Sequence, residues 1–317
     1  MIAAAFVAAA LAMVPAKRPP KVPPLPAWVA PADAAIDARV RQPWRGTVNE
    51  RIVDVTDVFV GAPYAVSPLG EGAGKDADPR LRFDAFDCTT FVETALALSL
   101  ASDLDDARVV LDRIRYRGDV VAFEERRHFP EAEWIPGLER AGLLVDVTRA
   151  VGGADVTIES KQLDAAAWKR ARGKHLPELS PERVPEGTFA LDVWKLAAAT
   201  AHADAIPAGT VLYVVRVDFK SVPVRVSHQG IVVEKDGRRF LRHAADRGHH
   251  HVVDEPLDRF FARIVQYARW PVTGVHLTQI VPAPDWRARL GVTPSIAPPT
   301  ATTTTQEPSP ATEPPSP

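Results

Sequence analysis

A single cysteine, Cys88, stands in a chain of 317 residues, so no intramolecular disulfide and no cysteine-rich zinc site can form. Charge of one sign is also lacking: the formal net charge is −2 and the isoelectric point is near 6.5. No field of that size gathers nucleic acid or an anionic membrane, so neither partner is expected and binding must come from a local site. Long apolar runs are nearly absent. The one candidate, residues 1–16 (MIAAAFVAAALAMVPA), falls short of the roughly 20 apolar residues that a spanning helix needs. No stable membrane insertion is expected after its removal.

Residues 1–16 have the length and the small-residue Val14-Pro15-Ala16 end of a signal peptide, although no positive charge precedes the apolar run. A retained apolar anchor is the other reading. Export to the periplasm or cell envelope is expected. Proline is plentiful, with 30 in the chain, and it concentrates at the two ends. Residues 17–32 read as an extended Pro-rich linker and 291–317 as a disordered Pro/Thr-rich tail. That leaves 33–290 as one catalytic domain, with the polar, proline-punctuated stretch 155–207 as an insertion or lobe.

Within the domain, Asp33 is a candidate N-cap for a helix ending near Val40. The Gly, Pro and Asp content of 61–82 predicts a long loop, and FVETALALSLA after Thr89 predicts a buried helix beginning at about Cys88. A second helix is expected from Leu104 to Tyr116, with the acidic run Asp103, Asp105 and Asp106 capping its start. The runs 209–219, 225–234 and 238–245 are rich in β-branched residues and predict antiparallel strands, the last two joined by a hairpin at Asp236-Gly237.

The lone thiol is placed where chemistry would want it. A nucleophilic cysteine works as thiolate, and a helix N-terminus beside a histidine favours that form while offering free amides to an oxyanion. Cys88 has the helix N-terminus. A buried structural cysteine is the competing reading, which the polar neighbours Asp87, Thr89 and Thr90 weaken. His228 opens a predicted strand, and the Asp236-Gly237 hairpin brings His243 close to opposite it, so His228 as base and His243 as its orienting partner would complete a triad. Both can equally be structural histidines.

The segments PYAVSPLGEG, FDCTTFVETALAL and SHQGIVVEKDGRRFLRHAA together resemble the N-acetylmuramoyl-L-alanine amidase-like branch of the NlpC-type papain-like cell-wall peptidase superfamily, over roughly residues 45–270. The resemblance implies an α+β papain-like domain with helices packed on an antiparallel sheet and the catalytic cysteine at a helix N-terminus. It implies Cys88 as nucleophile, His228 as base and His243 as the orienting residue. It also implies that Tyr64 reaches the site as a hydrogen-bond donor, and that the aromatic segment HFPEAEWIPG helps shape a substrate groove through His128 and Trp134. For the latter pair a loop histidine and a core tryptophan are equally good readings. The implied reaction is cleavage of the amide between N-acetylmuramic acid and L-alanine in peptidoglycan or muropeptides through an acyl-enzyme, with no metal or organic cofactor.

Two alternatives stay open: an endopeptidase of the same superfamily cutting between D-glutamate and diaminopimelate, and a cell-wall binding module that keeps the fold without catalysis. The stretch 155–207 follows the family pattern only vaguely, which leaves specificity open. Three consecutive histidines, His249 to His251, lack an acidic ligand at helical spacing and do not make a metal motif. The segment GEGAGKD lacks the first glycine and the final Ser or Thr of a phosphate loop.

Overall fold

A computed structural model describes residues 28–171 and 179–292. The expected signal peptide, most of the linker and nearly all of the tail lie outside them. Among the described residues four α-helices come first: α1 (Asp33–Val40), α2 (Val48–Thr56), α3 (Cys88–Leu100) and α4 (Leu104–Arg115). Next come α5 (Ile135–Arg140), β1 (Leu144–Asp146), α6 (Thr148–Gly152), β2 (Val156–Leu163), α7 (Ala165–Ala171) and β3 (Gly187–Lys195). Helix α8 (Leu196–Ala201) leads into β4 (Val211–Arg216), β5 (Val226–Lys235), β6 (Arg238–Ala245) and β7 (His251–Pro256). The chain then runs through α9 (Leu257–Ile264), β8 (Val272–Ile280) and α10 (Trp286–Leu290).

All eight strands of the described residues join one antiparallel sheet in the order β2-β3-β8-β4-β5-β6-β7, with β1 pairing on β8. Both faces are covered. Along β4, Val211, Tyr213 and Val215 point into a core shared with α1 to α5, whereas Leu212 and Val214 point into a second core with α8 and α9. A strand buried on both faces needs apolar residues at every position, which is why VLYVVR reads as a continuous run and not as an alternation. Helix α3, whose residues Thr90 to Ser99 are all buried, likewise has no solvated face there, because it lies inside the first core.

Several expectations shift. Residues 155–207 are no separate lobe, since β2 and β3 extend the main sheet and α8 packs in the second core; only α7, with Trp168 and Phe129, builds a small satellite cluster. Ala32, not Asp33, sits at the N-cap of α1, and Asp33 in the first turn pairs with Arg108 instead. Packed structure also reaches past the expected domain ends: Trp28 lies against the first core and Val292 is buried. The hairpin at Asp236-Gly237 forms as predicted, with both residues at positive φ (50° and 71°), as a two-residue turn of this kind requires.

Candidate active site

Three stretches far apart in sequence are brought to one cavity of about 700 Å³, lined by Tyr64, Cys88, His228 and His243 together with side chains of α9 and the loop after it. Cys88 is the first residue of α3. Asp87 caps the helix: its carboxylate accepts the Thr90 amide at 2.7 Å, and the Thr90 hydroxyl accepts the Asp87 amide at 3.0 Å. The other Asp87 oxygen accepts from the amide of Ser67 at 3.1 Å, which ties the loop before the helix to its cap. In the same loop Ala65 donates to Phe86 and Phe86 donates to Pro63, so Tyr64 is fixed beside Phe86, which stands two residues before Cys88.

The expected depression of the thiol pKa is not what the geometry produces. Burial pushes the Cys88 thiol up, to about 12, and the Asp87 carboxylate adds to the rise; the amide of Gln229, the hydroxyl of Thr89 and the amide of Cys88 itself offset only part of it. Burial disfavours the thiolate most, and capping α3 with a carboxylate adds a negative charge near the sulfur. The resting Cys88 side chain is therefore a neutral thiol with amides directed at it. Tyr64 is raised likewise to about 12, by burial and by the proximity of Cys88, and stands as a neutral phenol.

The histidines are ordered by a chain of contacts. His228 Nε2 lies 2.7 Å from His243 Nδ1, and His243 Nε2 lies 3.2 Å from Glu255 Oε2. Arg263 grips that carboxylate with both arms, Nε on Oε1 at 3.0 Å and a terminal nitrogen on Oε2 at 2.6 Å. Burial alone would raise Glu255, but hydrogen bonds from His243 and Arg263 hold it at about 2, so it is ionised and can only accept. His243 must then carry its proton on Nε2, its Nδ1 must accept, and His228 must donate from Nε2. The outcome is a His228 whose Nδ1 is an unprotonated acceptor in the cavity that holds the thiol. Burial keeps both imidazoles neutral by lowering their pKa, His228 well below its ordinary value; Glu255 opposes this at each, as the main counter-effect at His243 and more weakly at His228.

Glycine at position 230 makes the pairing possible. A Cβ there would lie 2.8 Å from the Cβ of His243 and 2.9 Å from the carbonyl oxygen of Arg242, so only glycine lets β6 approach this closely. From below, the ring of Phe260 on α9 packs edge-on against His243 at 5.4 Å and lies 6.1 Å from His228.

Two expected residues are elsewhere. His128 donates to the carbonyl of Phe123 at 2.8 Å, packs between Phe123 and Phe129, and is lowered by burial to about 4. Trp134 is buried, donates to Glu93 at 3.1 Å and packs on Tyr213. Neither lines the cavity, and both hold the core. In the other direction, Glu255 and Arg263 carry no motif of their own. The only signal for Glu255 in the sequence is a carboxylate on the strand after His243.

No curated protein matches the sequence. Among solved structures, a Legionella pneumophila protein of the DUF1460 family superposes with a TM-score of 0.70 at 21% identity, covering 79% of this chain and 94% of its own. An N-acetylmuramoyl-L-alanine amidase from Bacteroides uniformis superposes with a TM-score of 0.58 at 21% identity, covering 74% and 99%. These likenesses establish the shared α+β fold. The sequence model of the AmiA-like family matches residues 54–265, a span that holds Cys88, both histidines and Glu255 and takes up well over half the chain. The protein therefore belongs to the AmiA-like family of N-acetylmuramoyl-L-alanine amidase-like proteins.

Proposed function

We propose that the chain is an exported, cysteine-dependent peptidoglycan amidase of the papain-like NlpC type, cutting between N-acetylmuramic acid and L-alanine. The observation that carries this reading is the relay from Glu255 through His243 to His228, which leaves His228 Nδ1 unprotonated in the cavity shared with Cys88.

With a neutral thiol and a neutral imidazole in the resting state, attack is base-assisted: His228 Nδ1 takes the Cys88 proton as the sulfur adds to the lactyl carbonyl carbon. The amides around the sulfur, that of Cys88 at the start of α3 and that of Gln229, are placed to hold the oxyanion. The C–N bond then breaks, the His228 proton passes to the departing L-alanine nitrogen, and a thioester remains. Water, deprotonated by His228, adds to the thioester carbon; the lactyl acid leaves, and the proton returns to the sulfur. Glu255 stabilises the imidazolium formed midway through His243.

The test is mass spectrometry of defined muropeptides incubated with the wild type and with Cys88→Ala. Stem peptides beginning at L-alanine are expected from the wild type alone. Cleavage inside the stem peptide would remove the specificity claim, and equal release by both proteins would remove the cysteine mechanism.

A further inference from the structure

Charge in the catalytic cavity is unbalanced. Four arginines line it, Arg216, Arg247, Arg263 and Arg269, against one acidic residue, Asp246. Arg263 is committed to Glu255 and to the hydroxyl of Tyr267. The other three have no carboxylate partner among the described residues. In a chain with a net charge of −2, three cations without a carboxylate partner lining one cavity are not a sample of the average surface.

Arg216 is held in a built setting. Its Nε donates to Ser227 Oγ at 2.7 Å and one terminal nitrogen donates to the carbonyl of Trp270 at 2.5 Å. Its guanidinium lies over the rings of Tyr267 (4.7 Å) and Trp270 (5.5 Å). A guanidinium fixed in this way has lost its rotamer freedom before any ligand arrives, and its second terminal nitrogen has no acceptor among the described residues. Ser227, its hydrogen-bond partner, precedes His228, so the cation is anchored to the residue next to His228. Arg247 lies close enough to repel Arg216 and is exposed, as is Arg269. Asp246 lies toward Tyr64, whose ionisation it opposes.

Resting on the reading of Cys88 as the nucleophile, we propose that Arg216 and Arg247 form an anion subsite that takes a free carboxylate of the substrate peptide next to the scissile amide, with Arg269 drawing it in from the rim. The substrate class is thus an anionic stem peptide, and amidation of the carboxylate nearest the cut removes the recognised group. Arg216 supplies a pre-set planar donor and Arg247 a mobile second charge, the division of labour expected where one side chain orients and the other attracts.

Because Cys88 is the only cysteine, alkylation reads this cavity alone. Iodoacetate and iodoacetamide share a leaving group and differ in the carboxylate. The ratio of their rates at Cys88 is expected to exceed the ratio on a free cysteine peptide, to fall by about fivefold in Arg247→Gln, and to fall with added salt. Arg247 is exposed, so this variant keeps the fold; Arg216→Lys, which keeps the charge but not the fork, serves as the second variant and is expected to lower the ratio less. A ratio that is the same in the wild type and in Arg247→Gln overturns the subsite. In parallel, kcat/KM is measured on two muropeptides that differ only in a free or amidated carboxylate on the second stem residue, with the free form expected to be preferred at least about tenfold through KM. An iodoacetate preference without muropeptide cleavage would overturn the amidase reading and leave the subsite standing. Cleavage of both muropeptides at equal rates, with no iodoacetate preference, would do the reverse.

Discussion

His243 Nε2 lies 3.2 Å from Glu255 Oε2, and through this contact a carboxylate on β7 fixes which nitrogen of His228 carries a proton. Glu255→Gln keeps the side chain's size but offers an amide that can either donate or accept, so His243 is free to take the other tautomer. The expected result is a loss of about 10- to 100-fold in kcat with KM little changed, the range seen when the partner of a functional histidine is removed. Glu255→Asp, which keeps an ionised acceptor, is expected to recover part of it. A Gln variant with wild-type kcat would mean that the relay orients nothing.

Both imidazoles are neutral because burial disfavours their cations, so His228 remains able to accept a proton as pH falls through the ordinary histidine range. The acid limb of kcat/KM is therefore expected below pH 6.5, with apparent values that belong to the coupled pair. Stability moves the opposite way. As pH drops below 6.5 the unfolded histidines take up protons that the folded ones do not, and from about 4.5 toward 2 the same is true of Glu255, whose folded pKa is about 2. The folded state is thus expected to lose stability in both windows. Melting temperature measured from pH 8 to pH 3 follows this, and Glu255→Gln should remove part of the fall in the lower window. An acid limb at or above 6.5 would contradict the neutral relay.

Gly230→Ala tests the close approach of β5 and β6. The new methyl would meet the Cβ of His243 and the carbonyl of Arg242 inside 3 Å, both on a strand paired along its length. Strain of about 1 to 3 kcal/mol is expected, with β6 pushed away from β5 and the His228 to His243 contact lengthened. Chemical denaturation should report the first effect, and a fall in kcat larger than any change in KM the second.

Much of this site was legible because its signals are local. A capped helix beginning at Cys88, a β-branched strand carrying His228 and an Asp236-Gly237 turn that folds the next strand, with His243, back beside it are each set by neighbours in sequence. What was not legible depends on distant partners. Strand β8, inside the sheet between β3 and β4, carries no clear strand signal in sequence because its buried positions include Gly274, His276 and Thr278. They are tolerated there since His276 is met by Thr148 and the Asp192 carbonyl, and Thr278 by the Tyr213 hydroxyl. The same limit hid Glu255, whose partners His243 and Arg263 are known only from pairing. It also misdirected His128 and Trp134, whose aromatic neighbourhood is a core and not a groove. The thiol's raised pKa is invisible in sequence because its main cause is burial under distant elements, to which the Asp87 cap only adds.

The buried pair Glu93 and Arg115 connects the fold to the cavity without touching it. Arg115 meets Glu93 at 2.5 Å and donates to the carbonyl of Leu69 at 3.1 Å, so α3 and α4 together hold the loop that carries Tyr64 and leads into Cys88. Glu93 also accepts from Trp134, so it is satisfied on both oxygens inside the first core. Glu93→Ala strands the Arg115 cation away from water, which costs about 3 to 5 kcal/mol, whereas Glu93→Gln keeps an acceptor for Trp134 and is expected to cost less. If the pair acts on the loop and not only on global stability, Glu93→Gln under native conditions should speed proteolytic cutting within 61–86 more than elsewhere. It should also raise the alkylation rate of Cys88 as the loop opens. Uniform cutting across the chain, with the alkylation rate unchanged, would assign the pair to the core alone.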